Sequence, residues 1–320
     1  MRKGNALHSR CTALAFAAGL LLGATAPAAP LAAQAAAADS VAHRVYDAQA
    51  GRWTDFAAMA DSLAAADVVF FGEQHDDPGT HRLERALLEA MAGRRDGVVV
   101  GLEMFERDVQ PLLDRYLAGE VAEAEFLGGS RPWPNYATDY RPLVEFARER
   151  GWPVVAGNVP RRIAAGVGRA GLDTLAALPE GERARVAAEL ACPRDAYHAL
   201  FAEQMAAHPM PGTPEEQAAL VERFYAAQCV KDETMAEAVV EARAERGPGA
   251  VVVHFNGAFH SDRRLGIVPR VERRTPGARV RVVSAVPVAD LASVDPAEYR
   301  ELGDFVVFTL RPAPEPGPEA

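Results

Sequence analysis

The stretch DVVFFGEQHDD, residues 67–77, runs four apolar residues into a glycine and then into Glu73, Gln74, His75, Asp76 and Asp77. A block such as Val68-Val69-Phe70-Phe71 has no polar side to turn to water. It therefore predicts a strand covered on both faces, as in a parallel sheet between helices. Five further segments share this character, at residues 97–102, 152–157, 250–255, 278–285 and 304–310. Between the first three strands lie helical patterns: 80–91, with Leu83, Leu87 and Met91 four apart, then 109–117 and 142–150. Strand, helix and strand at these distances predict parallel crossovers.

Strand signals vanish between about residues 160 and 246, where Ala, Glu, Arg and Leu dominate. Within that span, 214–246 reads as one long helix stopped by Gly247-Pro248-Gly249. The expected architecture is one α/β domain over 39–310, a mostly parallel central sheet flanked by helices. A large helical insertion at about 160–246 should cover one edge or face of it.

The chain has 320 residues, 49% of them hydrophobic, enough to bury a sizeable core. Its net charge of −10 and the lack of a basic stripe argue against a nucleic-acid partner. Residues 1–38 have the layout of a secretory signal: a basic start, an apolar centre from Cys11 to Gly23 and an Ala/Pro-rich exit. That centre is short for a bilayer span, and Cys11 follows His-Ser-Arg, which is no lipobox. Export to the periplasm or cell envelope is expected, with cleavage between Ala26 and Asp39. The Pro-rich tail 311–320 is expected to be disordered. Export leaves Cys192 and Cys229 as an even pair in an oxidising compartment, and a disulfide is the favoured reading over two buried thiols.

In an open parallel sheet, ligands bind beyond the carboxyl ends of the strands. Four predicted strands end in chemically capable groups: Glu73 and His75, then Glu103, then Asn158, then His254, Asn256 and His260. Parallel strands would bring Glu73, His75, Glu103, Asn158 and His260 to one edge. Two of the ends are G-x-x-H turns, Gly72–His75 and Gly257–His260, which would mark two halves of a pseudo-symmetric sheet. Two imidazoles and a carboxylate suit a divalent zinc-like or iron-like ion. The same groups could do metal-free acid–base work. His254, inside an apolar strand, reads as a core histidine, and Asp76 and Asp77 before Pro78-Gly79 read as helix caps. Around this edge, Trp133, Tyr136 and Tyr140 offer flat faces, and Arg161 and Arg162 after Pro160 favour an anion. In the insertion, Tyr197, Met205 and His208 are residue types that ligate iron, although their spacing also fits an ordinary amphipathic helix.

FFGEQHDDPGTH, VVVGLEMFERDVQPLLDRYLAG, WPNYATDYRPLVEFARERGWPVVAGNVPRR, AQCVKDETMAEAV and VVHFNGAFHSDRRLGI together resemble the ChaN-type haem-binding proteins. That family belongs with Tiki/TraB and erythromycin-esterase proteins in one superfamily. The likeness runs from about residue 67 to 270. It implies an exported α/β protein in haem-iron acquisition, paired haems held between two subunits, a tyrosine iron ligand and haem-uptake components of the envelope as partners. Tyr136, Tyr140 and Tyr197 are the tyrosines to which that role could pass. By the same resemblance to Tiki/TraB proteins, His75, Glu103 and His260 would form a metal site, with Glu73 inside the first motif. Two functions are therefore expected to compete: haem binding without catalysis, and a metal-dependent hydrolase in which Glu73 activates water.

Overall fold

The computed structural model describes residues 38–311. The expected leader 1–38 and tail 311–320 lie outside that range except for Ala38 and Arg311. An eight-stranded sheet forms the centre. Its strands are β1 (His43–Asp47), β2 (Arg52–Thr54), β3 (Val68–Glu73), β4 (Val98–Glu106), β5 (Val154–Asn158), β6 (Val251–Gly257), β7 (Val280–Val288) and β8 (Phe305–Leu310). The spatial order is β2-β1-β8-β7-β3-β6-β4-β5. All neighbours from β8 to β5 pair in parallel, while β1 runs antiparallel to both β8 and β2.

The predicted α/β class therefore holds, with all six expected strands present and a hairpin, β1–β2, added at one edge. The strands β3, β4 and β5 progress one way across the sheet, and β6, β7 and β8 progress the other way. The first strands of the two halves, β3 and β6, cross over and pair at the centre, with Gly72 opposite Asn256 and Glu73 opposite Gly257. This is the topological switch point, where open α/β sheets leave a crevice.

Alternation along β3 assigns its side chains to two layers. Val69 and Phe71 pack with Leu83, Leu87 and Met91 of α2 (Pro78–Ala92) and Leu143 of α5 (Arg141–Arg150), while α1 (Phe56–Ala64) adds Met59 and Leu63. Val68 and Phe70 point the other way, against Met235 and Val239 of a 33-residue helix, Pro214–Arg246, and against Ile267, Val268 and Val271 of Ile267–Arg274. Burying such a side chain fully contributes roughly 1.5–3 kcal/mol, which is why the apolar run sits at the centre of the sheet.

In chain order the remaining helices are α3 (Gln110–Leu117), α4 (Glu123–Ser130), α6 (Arg161–Ala170), α7 (Glu180–Arg183) and α8 (Ala196–Ala206). They are followed by α9 (Pro214–Arg246) and α10 (Ile267–Arg274). Helices α6 to α9 lie between β5 and β6 in the chain, and α9 packs over the face that carries Val68 and Phe70. Helix α9 starts where the sequence says it should: Thr213 and Glu216 form a reciprocal capping box and Pro214 opens the first turn. Gly247 ends it, at φ 84°. Cys192, in the irregular segment before α8, is joined to Cys229 of α9, as the cysteine count predicts. Closing that loop stabilises the fold by about 4 kcal/mol in the chain-entropy description. Among the described residues no helix is long and apolar enough to cross a membrane.

Candidate functional site

Beyond the carboxyl ends of β3, β4 and β6 lies a cleft of about 550 Å³, a size at which small-molecule sites are common. Glu73, His75, Glu103, Asn158 and His260 all line it, together with Trp133, Met104, Phe259 and Arg161. The parallel register delivers them, but strand parity splits them. Glu73 shares a face with Phe71 and turns toward α2, whereas Glu103 shares a face with Val99 and turns toward α9.

On the α2 side, Glu73 Oε1 accepts the Tyr140 hydroxyl at 2.7 Å and lies 2.6 Å from His75 Nδ1. Tyr140 reaches it from a single π-helical turn, Tyr136–Tyr140, which rotates the ring inward. Behind them, His81 of α2 places Nδ1 3.0 Å from Glu84 Oε2 and 3.7 Å from Glu73 Oε2. Burial above all, then the charge of Glu73, pushes the Glu84 carboxyl well above the usual carboxylate range. Burial works against a charged His75 ring, but the Glu73 hydrogen bond and the Glu103 charge outweigh it and raise the ring above ordinary histidine.

On the α9 side, Glu103 Oε2 accepts the Gly257 amide at 2.8 Å and Oε1 lies 3.2 Å from His260 Nε2. The other nitrogen of His260 meets Asp232 Oδ1 at 2.5 Å. Burial opposes protonation of His260, yet Glu103 and Asp232 raise it to about 10. Burial likewise opposes a charged Glu103, but His260 and then Lys231 hold it well below the usual carboxylate range. The result is an imidazolium clamped between two carboxylates. Nearby, Asp262 also lines the cleft, its carboxyl pushed up to about 7 by burial.

The two G-x-x-H turns are reciprocal in space. A Cβ on Gly257 would lie 2.8 Å from the His75 ring, and one on Gly72 would lie 3.0 Å from both Ala258 and Ser261. Each glycine clears room for the other turn.

Other predicted residues fall elsewhere. Tyr136, Tyr140 and Tyr197 are buried off the cleft, and burial raises the pKa of all three phenols. Tyr197 packs against Phe259 and accepts the Gln228 amide at 3.1 Å. Arg162 is engaged with Asp108 and Glu182 rather than the cleft. His208 is exposed just beyond α8, its Nδ1 2.9 Å from the Gln204 carbonyl oxygen, and Gln204 lines the cleft. His254 is a core residue, wholly buried with neither ring nitrogen hydrogen-bonded. Asp77 caps α2, accepting the amides of Gly79 and Thr80, while Asp76 pairs with Arg311 instead.

Sequence reasoning missed His81, Glu84, Lys231, Asp232 and Asp262. No local signal marks them: Asp232 stands in the polar run Lys231-Asp232-Glu233-Thr234, which reads as an ordinary solvated helix face. For a metal ion, His75, Glu103 and His260 face one cleft without being drawn to single-ion spacing. The set whose donor atoms lie within 4.8 Å of one another, among the described residues, is Glu73, His81 and Glu84.

A family profile described as haem-binding uptake, Tiki superfamily, ChaN, matches residues 59–271. No curated protein sequence matches. Among solved structures, ChaN of Campylobacter jejuni, described with cofacial haem binding, is 16% identical with a TM-score of 0.62. The match covers 83% of this chain and 96% of that one. The erythromycin esterase EreC in its open conformation is 12% identical with a TM-score of 0.47, over 86% of this chain and 99% of its own.

Proposed function

This chain belongs to the ChaN-type haem-binding uptake family of the Tiki superfamily, and on that premise we propose that it binds haem at the mouth of the strand-end cleft. Haem asks three things of a protein: flat apolar contact, cations for two propionates and a donor for iron. The observation that carries the reading is that one cleft offers all three. His75 leaves 45% of its side chain exposed and stands edge-on to Trp133, ring centres 4.8 Å apart. Phe259 and Met104 add apolar wall, and Arg161 and Lys231 supply cations. Since the three tyrosines are buried and His208 does not line the cleft, the imidazole of His75 is the iron ligand the cleft offers. The role we infer is haem-iron acquisition after export to the cell envelope, with paired haems bridging two copies of the chain.

Titrating the purified chain with hemin should give a saturable Soret shift at fixed stoichiometry, weakened in His75→Ala. Light scattering should show the mass doubling as hemin is added. A Soret band that never saturates removes the haem reading.

A second reading is favoured by one specific observation: His75 and His260 each have one ring nitrogen held by a carboxylate, Glu73 and Asp232. The other nitrogen of His260 faces Glu103 at 3.2 Å and His75 lines the same cleft, an arrangement in which carboxylates orient imidazoles for a metal. An ion held there by His75, Glu103 and His260 would polarise a substrate or bound water, and Glu73 would accept a proton at Oε1. Hydrolysis of a panel of ester and amide substrates by the purified chain, lost in Glu73→Gln, is the expected outcome. Equal turnover in Glu73→Gln would exclude it.

A further inference from the structure

We propose a second, buried cation site on the α2 side of the sheet, formed by Glu73 Oε2, His81 Nδ1 and Glu84, that takes one small divalent transition ion such as zinc or manganese. It does not depend on the haem reading.

The first observation is geometric. Donor atoms of the three residues lie within 4.8 Å of one another, and all three side chains are buried. The second concerns the tautomer of His81. Its Nε2 lies 3.2 Å from the His75 carbonyl oxygen, which can only accept, so Nε2 carries the ring proton. Nδ1 then turns its lone pair toward Glu84 Oε2 at 3.0 Å and Glu73 Oε2 at 3.7 Å, where an ion could take the place of the proton on Glu84. Holding the outer N–H of an imidazole on a backbone carbonyl is how proteins fix a metal-ligating histidine.

The third observation is that Glu73 Oε2 and Glu84 Oε1 are buried oxygens with no hydrogen-bond partner. Leaving such atoms unmatched is costly, and an ion would satisfy them together. The pairs these two acids form are with His75 and His81, and no lysine or arginine is paired with either. One imidazole and two carboxylates match the mixed donor set of zinc and manganese sites. His81 also lines a separate hollow of about 380 Å³, together with Asp139 and Pro78. An ion there would fix the rear oxygen of Glu73 and so the direction in which its front oxygen holds His75.

The test is calorimetric titration of the chelator-treated, full chain with zinc chloride and with manganese chloride. His81→Asn and Glu84→Gln are compared with Glu103→Gln and His260→Ala, and far-UV circular dichroism checks that each variant is folded. The proposal expects about one equivalent bound by the parent chain, retained in Glu103→Gln and His260→Ala, and weakened at least 10-fold in Glu84→Gln. Loss in Glu103→Gln or His260→Ala with retention in Glu84→Gln would place the ion in the cleft and overturn it. No binding of either metal by the folded parent would also overturn it, leaving two carboxyls that share a proton. Hemin affinity should be unchanged in Glu84→Gln, so failure here and failure of the haem reading are separate results.

Discussion

Glu73 and Glu103 lie toward the carboxyl ends of β3 and β4, the two strands that flank β6; they line one cleft and are both buried, yet their surroundings are opposite. Glu103 faces α9, where an imidazolium and a backbone amide compensate it and Asp232 compensates the imidazolium in turn. Glu73 faces α2, where its neighbours are a phenol, two imidazoles and a second carboxyl pushed toward its neutral form. The difference comes from parity: successive side chains leave a strand on opposite faces. One side of the sheet edge is electrostatically closed, and the other is short of positive charge.

The comparison breaks most sharply at Asp232. Removing one partner of a buried ionic group strands the rest, so Asp232→Ala should destabilise the chain by about 3–5 kcal/mol in denaturant unfolding. A loss under about 1 kcal/mol would mean that His260 is not clamped as described.

Next comes the pH profile of His254, on the same face as Glu103. The unfolded chain protonates this histidine as pH falls through 6.5, whereas burial lowers the folded ring to about 4. Its contribution is complete above pH 6.5 and is lost as pH falls toward 4, roughly 3 kcal/mol over that window. His254→Leu should remove that slope. Parallel stability profiles for the parent and variant between pH 6.5 and 4 would contradict a neutral buried ring.

A smaller effect is expected on the other side. Tyr140→Phe deletes a hydrogen bond to a carboxylate and should cost about 1.5–3 kcal/mol, read from the unfolding midpoint. Smallest of all, Glu84→Gln in metal-free protein should change stability by less than about 1 kcal/mol, because an amide stands in for a protonated carboxyl. A large loss there would show Glu84 to be ionised, erasing the contrast between the two sides.

What the sequence disclosed follows the same physics. Strands such as Val68–Phe71 were legible because burial on both faces leaves an unbroken apolar run. The β1–β2 hairpin was not, since HRVYD and RWT are short, partly exposed strands with too few alternations to stand out. Helix α9 was placed to the residue at both ends, from Pro214 to the Gly247-Pro248-Gly249 stop, because such signals act locally. Glu73, His75, Glu103 and His260 could be brought to one edge because topology alone converges strand ends. His81, Glu84 and Asp232 could not, because a helical carboxylate or imidazole looks the same in sequence whether it faces water or a neighbouring strand. The phenols of Tyr136, Tyr140 and Tyr197 illustrate the same limit: aromatic rings near a cleft read as a surface, and packing turned them inward.

The mutual clearance of Gly72 and Gly257 carries a consequence for how this chain can change over generations. A side chain introduced at either position collides with the turn contributed by the opposite half, not with its own surroundings. The two halves are therefore locked to each other's smallest residue, and a drift in one tip becomes tolerable only after the other has already retreated.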